Sequence, residues 1–284
     1  MIRRTVKRSL ARLGYDVRPI ADARPSKPAW SRPSDVTMID EDVLLLLTPP
    51  NSGSTAIAKL VGTIPGVVGL GGSSEGQWLV PPLREADRWW PEKYVDYAAV
   101  ASTWARRIDE IRAERPVEFV LEKSPPNMVR YRDLLGILPN ARVVVNNRDP
   151  YANVASQIKR YHEAHYPGAP RLDVIAHLAD QWRFRSRILR RAHLEDGFPV
   201  VGYERFCESP RDILTAFGLE AGDDFAEDAE IRVKDYEPQA IRNMNAEQTA
   251  RLSPEELDTV SRRLEAEPDL LEFFGYALAD PARG

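Results

Sequence analysis

Residues 44–59, LLLLTPPNSGSTAIAK, carry the fold of this chain. An apolar run ends at Leu47, the chain turns through Pro49, Pro50 and Gly53, and a helix-forming segment begins at Ser54. A buried strand that feeds a small-residue turn and then a helix N-terminus builds an anion site. Its backbone N–H groups lack helical partners and converge with the positive end of the helix dipole on one spot. A second stretch, residues 148–156 (RDPYANVAS), sets Arg148 and Ser156 around another helix start. Two phosphate-sized sites on one chain imply a cofactor with two separated phosphates.

The rest of the sequence repeats the same alternation. Short runs rich in valine, leucine and isoleucine predict strands at 43–47, 67–70, 118–121, 142–147 and 199–203. Helical patterns separate most of them, at 54–63, 91–114, 127–138, 150–162 and 172–194. Strand–helix alternation predicts a doubly wound α/β domain with a parallel sheet covered on both faces. Ligands of such sheets sit beyond the carboxyl ends of the strands, so the two anion sites are expected to share one crevice. Asp149-Pro150 and Ser209-Pro210 each set a capping residue before a first-turn proline. Ser253-Pro254-Glu255-Glu256 reads as a capping box.

Composition sets the outer bounds. At 284 residues and 43% apolar, the chain can bury one large core. A net charge of −4 gives no general case for a nucleic-acid partner. The single cysteine, Cys207, excludes an internal disulfide and any cysteine-rich metal site, and a reducing, cytoplasmic location is the natural reading. No apolar run has the length of a membrane span. Residues 1–38 read as a basic N-terminal segment and a Pro-rich arm, and 39–284 as one α/β domain. The basic segment alternates Ile2, Val6, Leu10 and Leu13 with arginines and lysines, a pattern suited either to docking on its own domain or to peripheral contact with an anionic membrane.

The loop type narrows the chemistry. A Walker A loop needs GxxxxGK[ST], and TPPNSGST lacks both the first glycine and the lysine; the glycines of GLGGSSEG lack the Rossmann spacing. TPPNSGST instead resembles the phosphosulfate loop of sulfotransferases that use 3′-phosphoadenosine 5′-phosphosulfate (PAPS). LEKSPPN at 121–127, ARVVVNNRDPYANVAS at 141–156, VVGYERFCESP at 200–210 and LLEFFGYAL at 270–278 resemble further blocks of that family, in order. The resemblance covers roughly residues 40–278 and implies a single P-loop-like domain with a central parallel sheet flanked by helices.

It also implies roles. Ser52, Gly53, Ser54 and Thr55 would hold the 5′-phosphosulfate, and Arg148 and Ser156 the 3′-phosphate. Tyr203 would contact the nucleotide or simply be buried at a strand end. Lys123 would approach the transferring group. Arg232, Lys234 and Arg242 are candidates to close over the 3′-phosphate. Asn51 stands where the family usually has lysine or arginine, and it donates a hydrogen bond without charge, roughly half the strength of a charge-assisted one. Pro125 replaces the histidine base of the cytosolic branch. Glu75 falls where the carbohydrate-modifying branch keeps a glutamate base, and burial is expected to raise its pKa. The competing readings are a surface-loop carboxylate, or one capping a neighbouring N–H, for Glu75, a salt bridge to Glu122 or another neighbour for Lys123, and a pairing with Asp149 for Arg148.

These expectations combine into sulfuryl transfer from PAPS to a hydroxyl, less readily an amine, of a carbohydrate, glycolipid or other small-molecule acceptor, leaving adenosine 3′,5′-bisphosphate (PAP) and needing no metal. A P-loop-like kinase and a nucleotide-binding protein without transferase activity are the alternatives. Trp78, Trp89, Trp90 and Trp104 cluster around and after Glu75, where core packing is the commoner fate and an aromatic wall the alternative. His162, His165, His177 and His193 read as helix-surface residues.

Overall fold

The computed structural model describes residues 38–220, 222, 230 and 238–279. The basic segment and arm at 1–37, and Arg232 and Lys234, lie outside the described residues. Among these residues no helix is long and apolar enough to cross a membrane.

Four parallel strands form the sheet: β1 (Asp42–Leu47), β2 (Val67–Gly69), β3 (Phe119–Glu122) and β4 (Ala141–Val145), in the order β2-β3-β1-β4. The central strand shows why the apolar run is continuous. Val43, Leu45 and Leu47 enter a core with Trp104, Val68 and Val120, whereas Leu44 and Leu46 enter another with Ile57, Leu60 and Phe206. Leu44 to Leu47 are each at most 1% exposed. Burying each leucine is worth roughly 1.5–3 kcal/mol, so this strand alone anchors both layers.

Helix α1 (Ser54–Val61) covers one face of the sheet. Helix α2 (Tyr97–Arg112) covers the other through Val100, Trp104, Ile108 and Ile111. It starts at Tyr97 rather than at residue 91, because the Asp96 carboxylate accepts from the N–H groups of Ala98 and Ala99 at 3.0 and 3.1 Å. The helix expected over 127–138 is a 3₁₀ stretch, Pro125–Arg130, followed by the short α3 (Tyr131–Leu135). Helices α4 (Pro150–His165) and α5 (Arg171–Asp196) pack on one another through Val154, Ile158, Val174, Leu178 and Trp182. Asp149 caps α4 as expected, accepting from Ala152 N–H at 2.8 Å.

The strand expected at 199–203 reduces to one parallel bridge, Val145 to Val200, since α6 (Tyr203–Glu208) begins at Tyr203. Helix α7 (Arg211–Ala216) follows; the Ser209 hydroxyl binds Asp212 Oδ1 at 2.8 Å instead of capping it. Then come α8 (Asn245–Thr249), α9 (Pro254–Leu264) with the expected Ser253–Glu256 capping box, and α10 (Pro268–Phe273).

This order sets out the site. Register pairs Leu45 with Glu122 on one side of β1 and Leu47 with Val145 on the other. The carboxyl edge therefore presents, from left to right, the loop carrying Glu75, then Lys123, the loop 48–53, Arg148, and Tyr203 beyond the bridge.

Candidate active site

The loop after β1 is shaped by backbone sign. Asn51 has φ +61° and Gly53, at the N-cap of α1, has φ +81°. A Cβ on Gly53 would lie 2.3 Å from Tyr203 Cδ2, so the turn needs glycine for both conformation and space. No side chain caps α1. Its first N–H groups therefore face the cleft with the dipole behind them. Asn153 holds the loop from below, its Nδ2 donating to Pro50 O at 2.9 Å and to Ser52 Oγ at 3.1 Å. Ser52 is fully buried, so its hydroxyl supports the loop.

A cleft of about 440 Å³ opens over this turn, lined by Asn51, Gly53, Ser54, Thr55, Arg148, Ser156 and Tyr203 among others. Seven of the residues expected in the cofactor site thus meet at one cavity. The Arg148 guanidinium lies 4.1 Å above the Tyr203 ring. Its Nε donates to Asn245 Oδ1 at 2.8 Å and its Nη1 to Asn51 O at 3.0 Å. Its Nη2 is buried and has no hydrogen-bond partner among the described residues. A desolvated cationic donor left unmatched carries a penalty that an incoming anion removes. Arg148 does not pair with Asp149, which serves as helix cap.

Residues that sequence reasoning passed over brace this arginine. Asn245 Nδ2 donates to Glu204 Oε1 at 2.6 Å, and Glu204 also accepts from Asp149 N–H at 2.9 Å and from Tyr276 Oη at 3.0 Å. Lys159 and Arg160 line the same cleft. They follow Ser156 by three and four positions, so helical spacing was a signal for them. Arg242, expected over the 3′-phosphate, also lines the cleft, and its carbonyl accepts from Tyr203 Oη at 3.1 Å. Cys207 lines it too, its thiol pushed up to about 11 by burial.

Glu75 and Lys123 lie outside that lining and contact each other. Lys123 Nζ sits 2.6 Å from Glu75 Oε1, with the lysine side chain 1% exposed and the glutamate 19%. The lysine's partner is thus Glu75, not Glu122. The second Glu75 oxygen accepts from Gln77 Nε2 at 2.8 Å and from Trp78 Nε1 at 2.9 Å. The expected raised pKa is not found. Burial pushes this carboxyl up, but Lys123 and the hydrogen bonds together hold it below the ordinary value.

Beneath the pair lies a carboxylate that the sequence did not single out. Glu122 is fully buried, accepting from Gly76 N–H at 2.7 Å, Ser124 N–H at 2.7 Å and Asn127 Nδ2 at 3.0 Å. Burial raises its pKa to about 7 against those bonds. Trp104 Nε1 donates to Gly76 O at 3.1 Å, so the residue after Glu75 is gripped on both sides. The tryptophans divide: Trp104 is core, while Trp78 is 46% exposed. His177 is not on the surface; it is half-buried, 6.1 Å from the Tyr166 ring, and burial lowers it to about 4.

Residues 46–223 match the model of the sulfotransferase family. No curated protein sequence matches the chain. Among solved structures, the sulfotransferase from Alicyclobacillus acidocaldarius is similar at a TM-score of 0.53 and 14% identity, over 85% of this chain and 98% of that one. The sulfotransferase domain of the Synechococcus PCC 7002 olefin synthase is similar at 0.52 and 18%, over 88% and 99%. These two likenesses concern the fold, and the family match spans more than half of the sequence. The chain belongs to the sulfotransferase family.

Proposed function

We propose that this protein transfers a sulfuryl group from PAPS to a hydroxyl of a small-molecule or glycan acceptor, with Glu75 as general base. The observation that carries the reading is the cleft that joins an uncapped helix start to the unmatched Arg148 Nη2. Two anion positions in one cavity fit a nucleotide with separated 5′- and 3′-phosphate groups. Bound there, PAPS supplies the sulfuryl group and a good leaving phosphate.

The chain's own residues supply alignment and charge, as group transfers of this kind require. The N–H groups of Ser54 and Thr55 and the hydroxyl of Thr55 hold the 5′ end. Arg148, with Ser156 beside it, holds the 3′ end. Tyr203 supports the Arg148 guanidinium from its ring face.

Glu75 is ionised at neutral pH, the form that accepts a proton. Its weakness as a base is set by Lys123, 2.6 Å away. Movement of Lys123 Nζ toward negative charge at the reacting centre loosens this hold, and burial then raises the carboxyl into a more basic range. Lys123 in this way couples charge stabilisation to proton removal at Glu75 Oε1.

The test uses ³⁵S-labelled PAPS with a panel of sugar and phenol acceptors. Glu75→Gln is expected to lower kcat by roughly 100- to 10,000-fold while PAP affinity stays within a factor of three. Undiminished transfer by Glu75→Gln would remove it from the base role.

A further inference from the structure

We propose that the exposed face of Trp78 is the acceptor platform, and that the acceptor presents a flat ring with a hydroxyl at its rim. A sugar ring and an aromatic alcohol share that chemistry. The inference rests on the sulfotransfer reading and adds to it the shape of the acceptor.

A single exposed tryptophan means little by itself. This one is tied to the reacting carboxylate: its indole N–H edge points at Glu75 Oε2, 2.9 Å away, while Lys123 holds Oε1. A ring lying on the indole face therefore brings its own rim beside the same carboxylate. The platform is also fixed in place. Gly76 N–H is held by Glu122 and Gly76 O by Trp104, and Gln77 N–H donates to Ser124 Oγ at 3.1 Å. The Gln77 side chain, 2% exposed, closes the turn onto Glu75. A preorganised aromatic face loses little freedom when a ring stacks on it. Trp78 is thus a specificity residue for ring acceptors, placed at the far end of the strand edge from Arg148.

The test titrates PAP-loaded protein with 2-naphthol in one arm and methyl β-D-glucopyranoside in the other, which separates aromatic from sugar acceptors. At least one probe is expected to bind. Trp78→Ala is expected to weaken that binding by about tenfold and leave PAP affinity within about twofold. Trp78→Phe keeps the ring and loses the N–H, so probe binding stays within about threefold of the parent protein. With the bound probe as acceptor, its acid limb of kcat/KM moves to higher pH, because Glu75 has lost one of the bonds that hold its pKa down. Equal probe binding by Trp78→Ala, or binding of neither probe to protein that binds PAP, would overturn the proposal and spare the cofactor reading. Failure of PAP itself to bind would overturn both.

Discussion

The two ends of the strand edge handle charge in opposite ways. At the Arg148 end, a buried guanidinium keeps one donor unmatched and a helix start is left uncapped. At the Glu75 end, the buried cation and the carboxylate are already paired, and the carboxylate's other oxygen is bonded twice. On the reading proposed above, the first end is where an outside anion is taken up. The other is internally balanced, and on the proposed function it becomes reactive only when Lys123 is drawn away.

The largest effect that breaks the comparison is removal of the unmatched donor. Arg148→Ala is expected to weaken PAP binding by roughly 10- to 150-fold, since a hydrogen bond to a charged group is worth about 1.5–3 kcal/mol. AMP, which has no 3′-phosphate, should bind the variant and the parent alike; calorimetry of both ligands checks this.

A second prediction sharpens the balanced end. Glu122 has its pKa raised from 4.5 to about 7 by burial. A carboxyl raised in the folded state contributes stability below its unfolded pKa, and that contribution is lost as pH rises through the folded value. The window is therefore about pH 4.5 to 7, and the amount is on the order of 3 kcal/mol. Urea midpoints of the parent protein should fall across it, and those of Glu122→Gln should fall less. Asp149, also raised, to about 6, is common to both proteins and cancels in the difference. Parallel curves would show that Glu122 does not titrate there.

The smallest effect concerns Asn51. Its φ of +61° is a conformation that asparagine adopts more readily than lysine. Asn51→Lys is expected to cost about 1 kcal/mol of stability and to preserve or raise the transfer rate. A large loss of transfer would give Asn51 a role of its own.

The same contrast explains what the sequence disclosed. Residues 44–59 were legible because strand, turn and helix start are local, and both faces of β1 are buried. That Arg148 and Ser156 face one cleft was legible because a cap, a proline and one helix connect them. The brace on Arg148 joins residues 97 positions apart, which no local pattern records. Lys123 and Glu75 are 48 apart, so their contact, and with it the direction of the Glu75 pKa, emerged only when β2 and β3 were set side by side. Residues 199–203 read as a strand by composition, but Tyr203 starts a helix and leaves Val200 as the one bridging residue there.

The central claim, a cleft built for two separated phosphates, is tested most directly by calorimetric titration with adenosine 3′,5′-bisphosphate beside AMP and ATP–Mg²⁺. The account predicts a strong preference for the bisphosphate. Preference for ATP–Mg²⁺, or equal binding of AMP and the bisphosphate, would contradict it.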